Sequence, residues 1–155
     1  MRRLSIILII SLLGWSGWQA QDKSNRGREF WLGYNFNYSF YWESPVNAQE
    51  LAIYISTEQA ATVTVSISNT GFIRVLNIPA NTVDATITIP KQGPDDARIL
   101  TDGLSNHGIH IVSDVPVAVY AHQYATMVSG ATMLMPVETW GYSYYSINYY
   151  QTTSQ

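Results

Sequence analysis

The sequence contains no cysteine, which excludes disulfide scaffolds, cysteine zinc sites, thiol nucleophiles and a lipid-modified bacterial N-terminus. Charge is scarce too, because only 12% of the 155 residues are charged, roughly half of the usual share. The eight basic residues are outnumbered by eleven acidic ones, which argues against nucleic acid as a partner. Hydrophobic residues make up 46% of the chain. This is enough for the core of one domain and excludes a disordered chain.

Sequence motifs of common enzymes are absent: there is no Gly-x-Ser-x-Gly elbow, no Ser-x-x-Lys and no Gly-rich phosphate loop. Nothing marks two carboxylates as the pair that a glycosidase needs among the scattered residues Glu29, Glu43, Glu50 and Glu138. Asp95-Asp96 and Asp102-Gly103 form an oxygen-rich loop of a kind that calcium favours, but their spacing is not that of an EF-hand. We interpret the loop as a solvated turn and predict no enzyme, no catalytic residue and no cofactor.

The three histidines are weak candidates for metal ligands. His107 and His110 face opposite sides of an extended chain, because they are three residues apart. His110 and His122 could meet across a pair of neighbouring strands, although no carboxylate accompanies them. We therefore expect structural or surface histidines and no metal site.

The N-terminus has the three zones of a secretory signal peptide. A basic start, Met1-Arg2-Arg3, is followed by an apolar run at 4–13 and a looser small-residue zone at 14–20. The run of about ten residues is shorter than the roughly 20 that a spanning helix needs. We predict cleavage after Ala20, export, and no membrane span after removal of the signal; an uncleaved anchor or a misassigned start is the alternative. The remaining chain has six basic and eleven acidic residues, and export without cysteine suits a bacterial envelope protein.

Residues alternate between apolar and polar from position 50 onward, which predicts strands with one buried face. In 61–68 the predicted inner residues are Val63, Val65 and Ile67. In 82–89 they are Val83, Ala85, Ile87 and Ile89. Segments 50–56 and 72–78 follow the same pattern less strictly. Turn signals lie between the strands at 69–71, 79–81 and 92–94.

Two later segments, 108–112 and 115–124, are apolar on both faces and predict central strands joined by a tight turn at Ser113-Asp114. A further short apolar run at 131–135 ends at Pro136. No stretch has a helical period longer than two turns. The pattern predicts an all-β fold with short loops, an antiparallel β-sandwich or a partly open barrel.

Two segments, 35–42 and 142–150, are dense in aromatic and small polar residues, a composition that suits contact surfaces. The alternative is that their alternate tyrosines pack on a strand face and cap the sandwich. As ligand-binding candidates we name the residues Tyr38, Tyr41, Trp42, Tyr142, Tyr145 and Tyr149.

Several blocks, read in order, resemble the N-terminal domain family of IgGFc-binding proteins in its secreted bacterial, Bacteroidetes-like form. They are Gly27-Arg28-Glu29-Phe30-Trp31, Gly108-Ile109-His110-Ile111, Ser113-Asp114-Val115-Pro116-Val117, Val119-Tyr120-Ala121-His122, Leu134-Met135-Pro136-Val137, Trp140-Gly141 and Tyr144-Tyr145. The N-terminal pattern predicts a signal peptide at 1–20 and a polar linker at 21–26. The resemblance spans roughly 27–150 and implies a β-rich domain there, followed by a polar tail at 151–155. Family domains are usually longer, which implies a truncated chain, a fragment or half of a larger sandwich.

The resemblance implies a non-enzymatic binding or adhesion module, secreted or at the cell surface, whose partner is an extracellular protein or a glycan. A carbohydrate-binding module is the first alternative, and a glycan-processing enzyme fragment the second. A purely architectural role would leave the aromatic residues buried. If a missing half supplies strands, the sheet edges stay exposed, and Lys23 and Lys91 are the only lysines available to protect them. We therefore predict self-association through those edges.

Overall fold

A computed structural model describes residues 24–36, 49–125 and 129–145 of the chain. This part is mostly β-structure, as the alternating pattern predicts. In chain order its strands are β1 (Arg26–Leu32), β2 (Tyr34–Asn35), β3 (Glu50–Thr57), β4 (Ala61–Ile67), β5 (Ile73–Ile78), β6 (Thr82–Thr88), β7 (Arg98–Ile99), β8 (Ile109–Tyr124) and β9 (Ser129–Met133). Two 3-10 turns, Gly93–Asp95 and Val137–Thr139, are the only helical elements in the described ranges. β1 begins one residue before the predicted domain boundary at Gly27.

Strand β8, 16 residues long, is the centre of the fold because it pairs with four other strands. Along one edge it pairs first with β4 and then with β3, and along the other first with β1 and then with β9. All four pairings are antiparallel. The prediction that the apolar later segments are central is therefore confirmed.

Seven strands form one sheet, which curves into a nearly closed barrel. β5 extends the sheet beyond β4, and β6 extends it beyond β3. A short parallel pair, β2 with β7, forms a second sheet. The predicted antiparallel sandwich or partly open barrel is confirmed.

The core fills the inside of this curved sheet. Its largest fully buried side chains are Phe30, Leu51, Ile53, Ile55, Ile78, Ile89, Ile109, Ile111, Val63, Val65, Val117 and Val119. Tyr34 of β2 joins them, and its hydroxyl donates to the carbonyl of Ala52 at 2.8 Å. Burial raises the pKa of this hydroxyl far above its usual value, because a phenolate would lose its hydration there. Tyr34 therefore stays a neutral donor that satisfies a buried carbonyl.

The tight turn predicted at Ser113-Asp114 is wrong, since both residues lie within β8. Ser113 is buried, and the Asp114 carboxylate accepts the backbone N–H of Thr62 at 2.8 Å, so the chain stays extended. The pairing of β1 with β8 shifts register between Gly27 and Glu29 at this point. Pro116, which lacks an N–H, lies in this irregular stretch, where a strand tolerates proline.

The inner face predicted for residues 82–89 is correct at one end only. Ile87 and Ile89 are buried, whereas Val83 and Ala85 are exposed. The reason is a bulge: the register of β6 against β3 shifts between Ile53 and Ile55, which places one extra β6 residue between their partners, Asp84 and Ile87. The Asp84 carboxylate accepts the backbone N–H of Thr86 at 2.9 Å and holds the bulge in place.

Candidate functional site

The outer face of the sheet carries aromatic side chains. Of the twelve Phe, Trp and Tyr residues in the described part, seven are exposed and three are buried. β8 presents its even-numbered side chains outward, because its odd-numbered residues from Ile109 to Ala121 mostly face the core. Two of the exposed rings, Trp31 and Tyr124, lie on strands β1 and β8, and the other five lie outside the strands.

At one end of this face lies a cluster of Glu29, Trp31 and His110, which we call the Trp31 cluster. Trp31 and His110 are direct partners in the pairing of β1 with β8, and their rings stack with centroids 4.1 Å apart. His110 Nε2 lies 2.9 Å from Glu29 Oε1, and the Trp31 indole N–H donates to the same oxygen at 3.4 Å. Two contacts therefore orient the indole ring, and the contact between His110 and Glu29 holds both of its partners in place.

Trp31 lies flat over its neighbours. A side-chain carbon added at Gly108 would be only 3.4 Å from the six-membered part of the indole, which shows how closely the ring covers this glycine. The ring nevertheless stays 39% exposed. Its contacts with Gly108 and His110 therefore leave part of Trp31 in solvent.

Side chains with hydroxyl groups lie beside the Trp31 cluster, on and just after strand β4. Ser66 of β4 is the partner of His110, and Thr64 is the partner of Val112, on the far side of β8 from β1. The Ser68 hydroxyl lies 3.8 Å from the point where a side chain on Gly108 would begin. Within the described residues, none of these three hydroxyls has a hydrogen-bond partner.

At the other end of β8 lies a second group, the His122 cluster, formed by Tyr54, His122, Tyr124 and Ser129. His122 Nδ1 is 3.1 Å from the Tyr54 hydroxyl, and its Nε2 is 2.9 Å from the Ser129 hydroxyl. The rings of His122 and Tyr124 stack with centroids 4.9 Å apart. Both imidazole nitrogens are thus engaged within the cluster.

The predicted ligand-binding residues fall in two groups. Tyr142 and Tyr145 are almost completely exposed, in the segment that follows the 3-10 turn Val137–Thr139. The other four candidates, Tyr38, Tyr41, Trp42 and Tyr149, lie outside the described residues. Binding by any of the six stays a prediction.

The histidines do not meet in the way that the sequence allowed. His110 and His122 lie on the same strand, twelve residues apart, so the expectation that they could meet across a strand pair is wrong. His107 stands apart from both, with Nδ1 2.5 Å from the Asp96 carbonyl oxygen. In the ranges that the structure covers, no group of three His, Asp or Glu residues is arranged to hold a metal ion.

In the acidic loop, Asp95 and Asp96 both form contacts with other residues of the chain. Asp96 forms an ion pair with Arg98 at 2.7 Å, and Asp95 accepts the backbone N–H of Gly71 at 3.0 Å. Burial alone would raise the pKa of Asp96, but hydrogen bonds from Arg98 outweigh it and hold this pKa below its usual value. A shallow cavity of about 320 Å³ lies beside the pair, between Asp96 and His107.

The carboxylates are also dispersed. Glu29 contacts His110 near the start of β8, whereas Glu50 pairs with Lys91 beside the far end of that strand. Glu138 accepts the backbone N–H of Arg28. Glu43 lies outside the described residues.

Sequence reasoning missed the Trp31 cluster. Glu29 and Trp31 alternate on β1, and His110 and Val112 alternate on β8, so each pair could be assigned to one face. The contact between them joins residues 81 positions apart. Only the register of β1 against β8 brings them together, and alternation does not encode register.

Comparisons with protein-family models, curated protein sequences and solved structures find no match to this chain. Among the described residues, no helix has the length and apolar character needed to cross a membrane.

Proposed function

We propose that this chain is an exported, non-enzymatic binding or adhesion module of a bacterial surface or secreted protein. It contacts extracellular protein or glycan through its aromatic surface. The resemblance to the N-terminal domain of IgGFc-binding proteins and the signal-peptide pattern at 1–20 both favour this function.

The observation that carries the proposal is the number of exposed aromatic rings. They are Trp31, Phe36, Tyr124, Trp140, Tyr142, Tyr144 and Tyr145. Rings that have few rotatable bonds and an apolar body with a polar edge give large contact areas at low entropic cost, which is why binding surfaces are rich in them. The purely architectural alternative, in which the aromatic residues are buried, is not favoured by this distribution.

The test is a binding screen of the full chain against immobilised extracellular proteins and immobilised glycans. A double variant, Tyr142→Ala with Tyr145→Ala, should weaken the strongest interaction by about tenfold, since two exposed anchors are removed. Leu104→Ala, which truncates a fully exposed aliphatic side chain in another loop, is the matched control. Absence of binding to every protein and glycan would contradict the proposed function.

A further inference from the structure

We infer that the Trp31 cluster is a subsite for a neutral sugar ring, in which the exposed face of the indole stacks on the sugar and Glu29 accepts a hydrogen bond from a sugar hydroxyl. This inference rests on the proposed function and narrows it to one ligand class and one place on the sheet.

The first argument is the shape and rigidity of the platform. Trp31 is held by the stack on His110, by the contact over Gly108 and by the hydrogen bond to Glu29. A ligand that stacks on a ring already fixed in this way has little side-chain entropy to overcome. The apolar C–H face of a sugar ring is similar in size to the indole, and the electron-rich face of the indole attracts it.

The second argument is the set of polar groups around the ring. Glu29 Oε1 is occupied by His110 and Trp31, while no hydrogen bond of the described residues involves Glu29 Oε2. The hydroxyls of Ser66 and Ser68, without partners in the described part, lie next to the two residues that the indole contacts, His110 and Gly108. One acceptor and two groups that both donate and accept match the hydroxyls of a sugar, which donate and accept as well.

The same geometry distinguishes a sugar from a basic side chain. An Arg or Lys of a protein partner would also stack on Trp31 and pair with Glu29. The Glu29 carboxylate, however, already shares one oxygen with His110 and Trp31, which leaves a single acceptor oxygen where a bidentate guanidinium uses two. The two serine hydroxyls favour the sugar.

The experiment measures binding of the full chain to an array of neutral oligosaccharides of gluco, galacto and manno configuration, followed by titration of the strongest one. Trp31→Ala should weaken binding by about tenfold or more, and Trp31→Phe, which keeps a smaller ring, by less. Glu29→Gln should weaken binding about three- to tenfold, because a charged acceptor is replaced by a neutral one.

Two variants serve as matched controls. Leu104→Ala truncates an exposed apolar side chain, and Glu58→Gln neutralises another exposed carboxylate, both outside the cluster. Neither should change the affinity by more than about twofold. Melting curves of all variants show which of them fold, and Trp31→Phe keeps the test valid if Trp31→Ala does not.

The outcomes separate this inference from the proposed function. If the chain binds extracellular proteins but none of the oligosaccharides, the sugar subsite is wrong and the binding module stands. If an Arg-rich peptide binds in a Trp31-dependent manner and no oligosaccharide does, the occupant is a basic segment and the inference is wrong. Oligosaccharide binding that survives Trp31→Ala would place the sugar elsewhere and overturn it too.

Discussion

Replacement of Gly27 by alanine tests how the segment after β9 packs against β1. A side-chain carbon at this position would overlap Pro136 Cβ and lie 2.8 Å from Pro136 Cγ and 2.9 Å from Glu138 Oε2. Normal carbon–carbon contacts are about 3.5–4.0 Å, so the two elements would have to separate. Pro136 cannot rotate away, because its ring is closed on the backbone, and Leu134 just before it is buried and donates its N–H to the Val119 carbonyl.

Overpacking of this kind costs about 1–3 kcal/mol, and the severity of the overlap places Gly27→Ala at the upper end. In a domain of this size, 2–3 kcal/mol corresponds to a fall of roughly 6–15 °C in the melting temperature. Circular dichroism during heating, with denaturant titration as a second measure, gives both quantities.

The control is Gly130→Ala, because a side-chain carbon at Gly130 meets no atom within 4 Å. This change should stay within about 0.5 kcal/mol of the unmodified chain. In a Pro136→Gly background, Gly27→Ala should cost clearly less, since the clashing ring is gone. If Gly27→Ala melts within about 2 °C of the unmodified chain, the packing of this segment on β1 is not as described.

Two further predictions test single contacts, and a third tests the exposed edge of the sheet. Tyr34→Phe should lower the free energy of unfolding by about 1 kcal/mol in denaturant titration, because the Ala52 carbonyl loses its donor, and an unchanged value would contradict that hydrogen bond. Arg98→Ala should cost about 1–3 kcal/mol at neutral pH. The pKa of Asp96 is lowered in the folded chain, so the stabilisation by Arg98 is complete above the unfolded pKa of about 4 and is lost as the pH falls through the folded pKa. The stabilities of the unmodified chain and Arg98→Ala should therefore converge in acid, and a difference that stays constant with pH would refute the pairing. Sedimentation at tens of micromolar, a concentration at which exposed strand edges aggregate, should show self-association of the chain. Val75→Lys on edge strand β5 should reduce the self-association, and an unmodified chain that stays monomeric would contradict the prediction.

Regular hairpins could be predicted from the sequence because alternation alone specifies them. For β4, the residues predicted to face inward, Val63, Val65 and Ile67, are all buried, and the strand ends within one residue of the prediction. The turn at 69–71 follows where predicted, with Asn69 at a positive φ of 59° that asparagine tolerates.

Irregular pairing could not be predicted in the same way. The bulge in β6 depends on a carboxylate, Asp84, that bonds two residues ahead, and it reverses the face of Val83 and Ala85. In β8, Ser113-Asp114 has the composition of a turn, but the bond between Asp114 and Thr62 comes from another strand. The bond between Asp114 and Thr62 joins residues 52 positions apart, and the local sequence does not show whether such a bond forms in place of a turn.

In the candidate site, too, some features could be predicted from the local sequence and others could not. The aromatic content of 142–150 suited either a contact surface or packing on a strand face, and Tyr142 and Tyr145 are exposed. The Trp31 cluster required the register of two strands distant in sequence, as described above, and its members are ordinary alternating residues in each strand alone. Pairwise contacts of this kind become visible only in the folded chain.

The most direct test of the central claim, that the exposed aromatic residues form a binding surface, is an amide and indole N–H chemical-shift map of the isotope-labelled chain. The ligand is the strongest oligosaccharide or extracellular protein from the screens. We expect the largest changes at the Trp31 indole N–H and at the backbone of Glu29 and His110, with further changes at Tyr142 and Tyr145. Changes confined to the loop between Asp96 and His107, with the outer face of β8 unaffected, would contradict the claim.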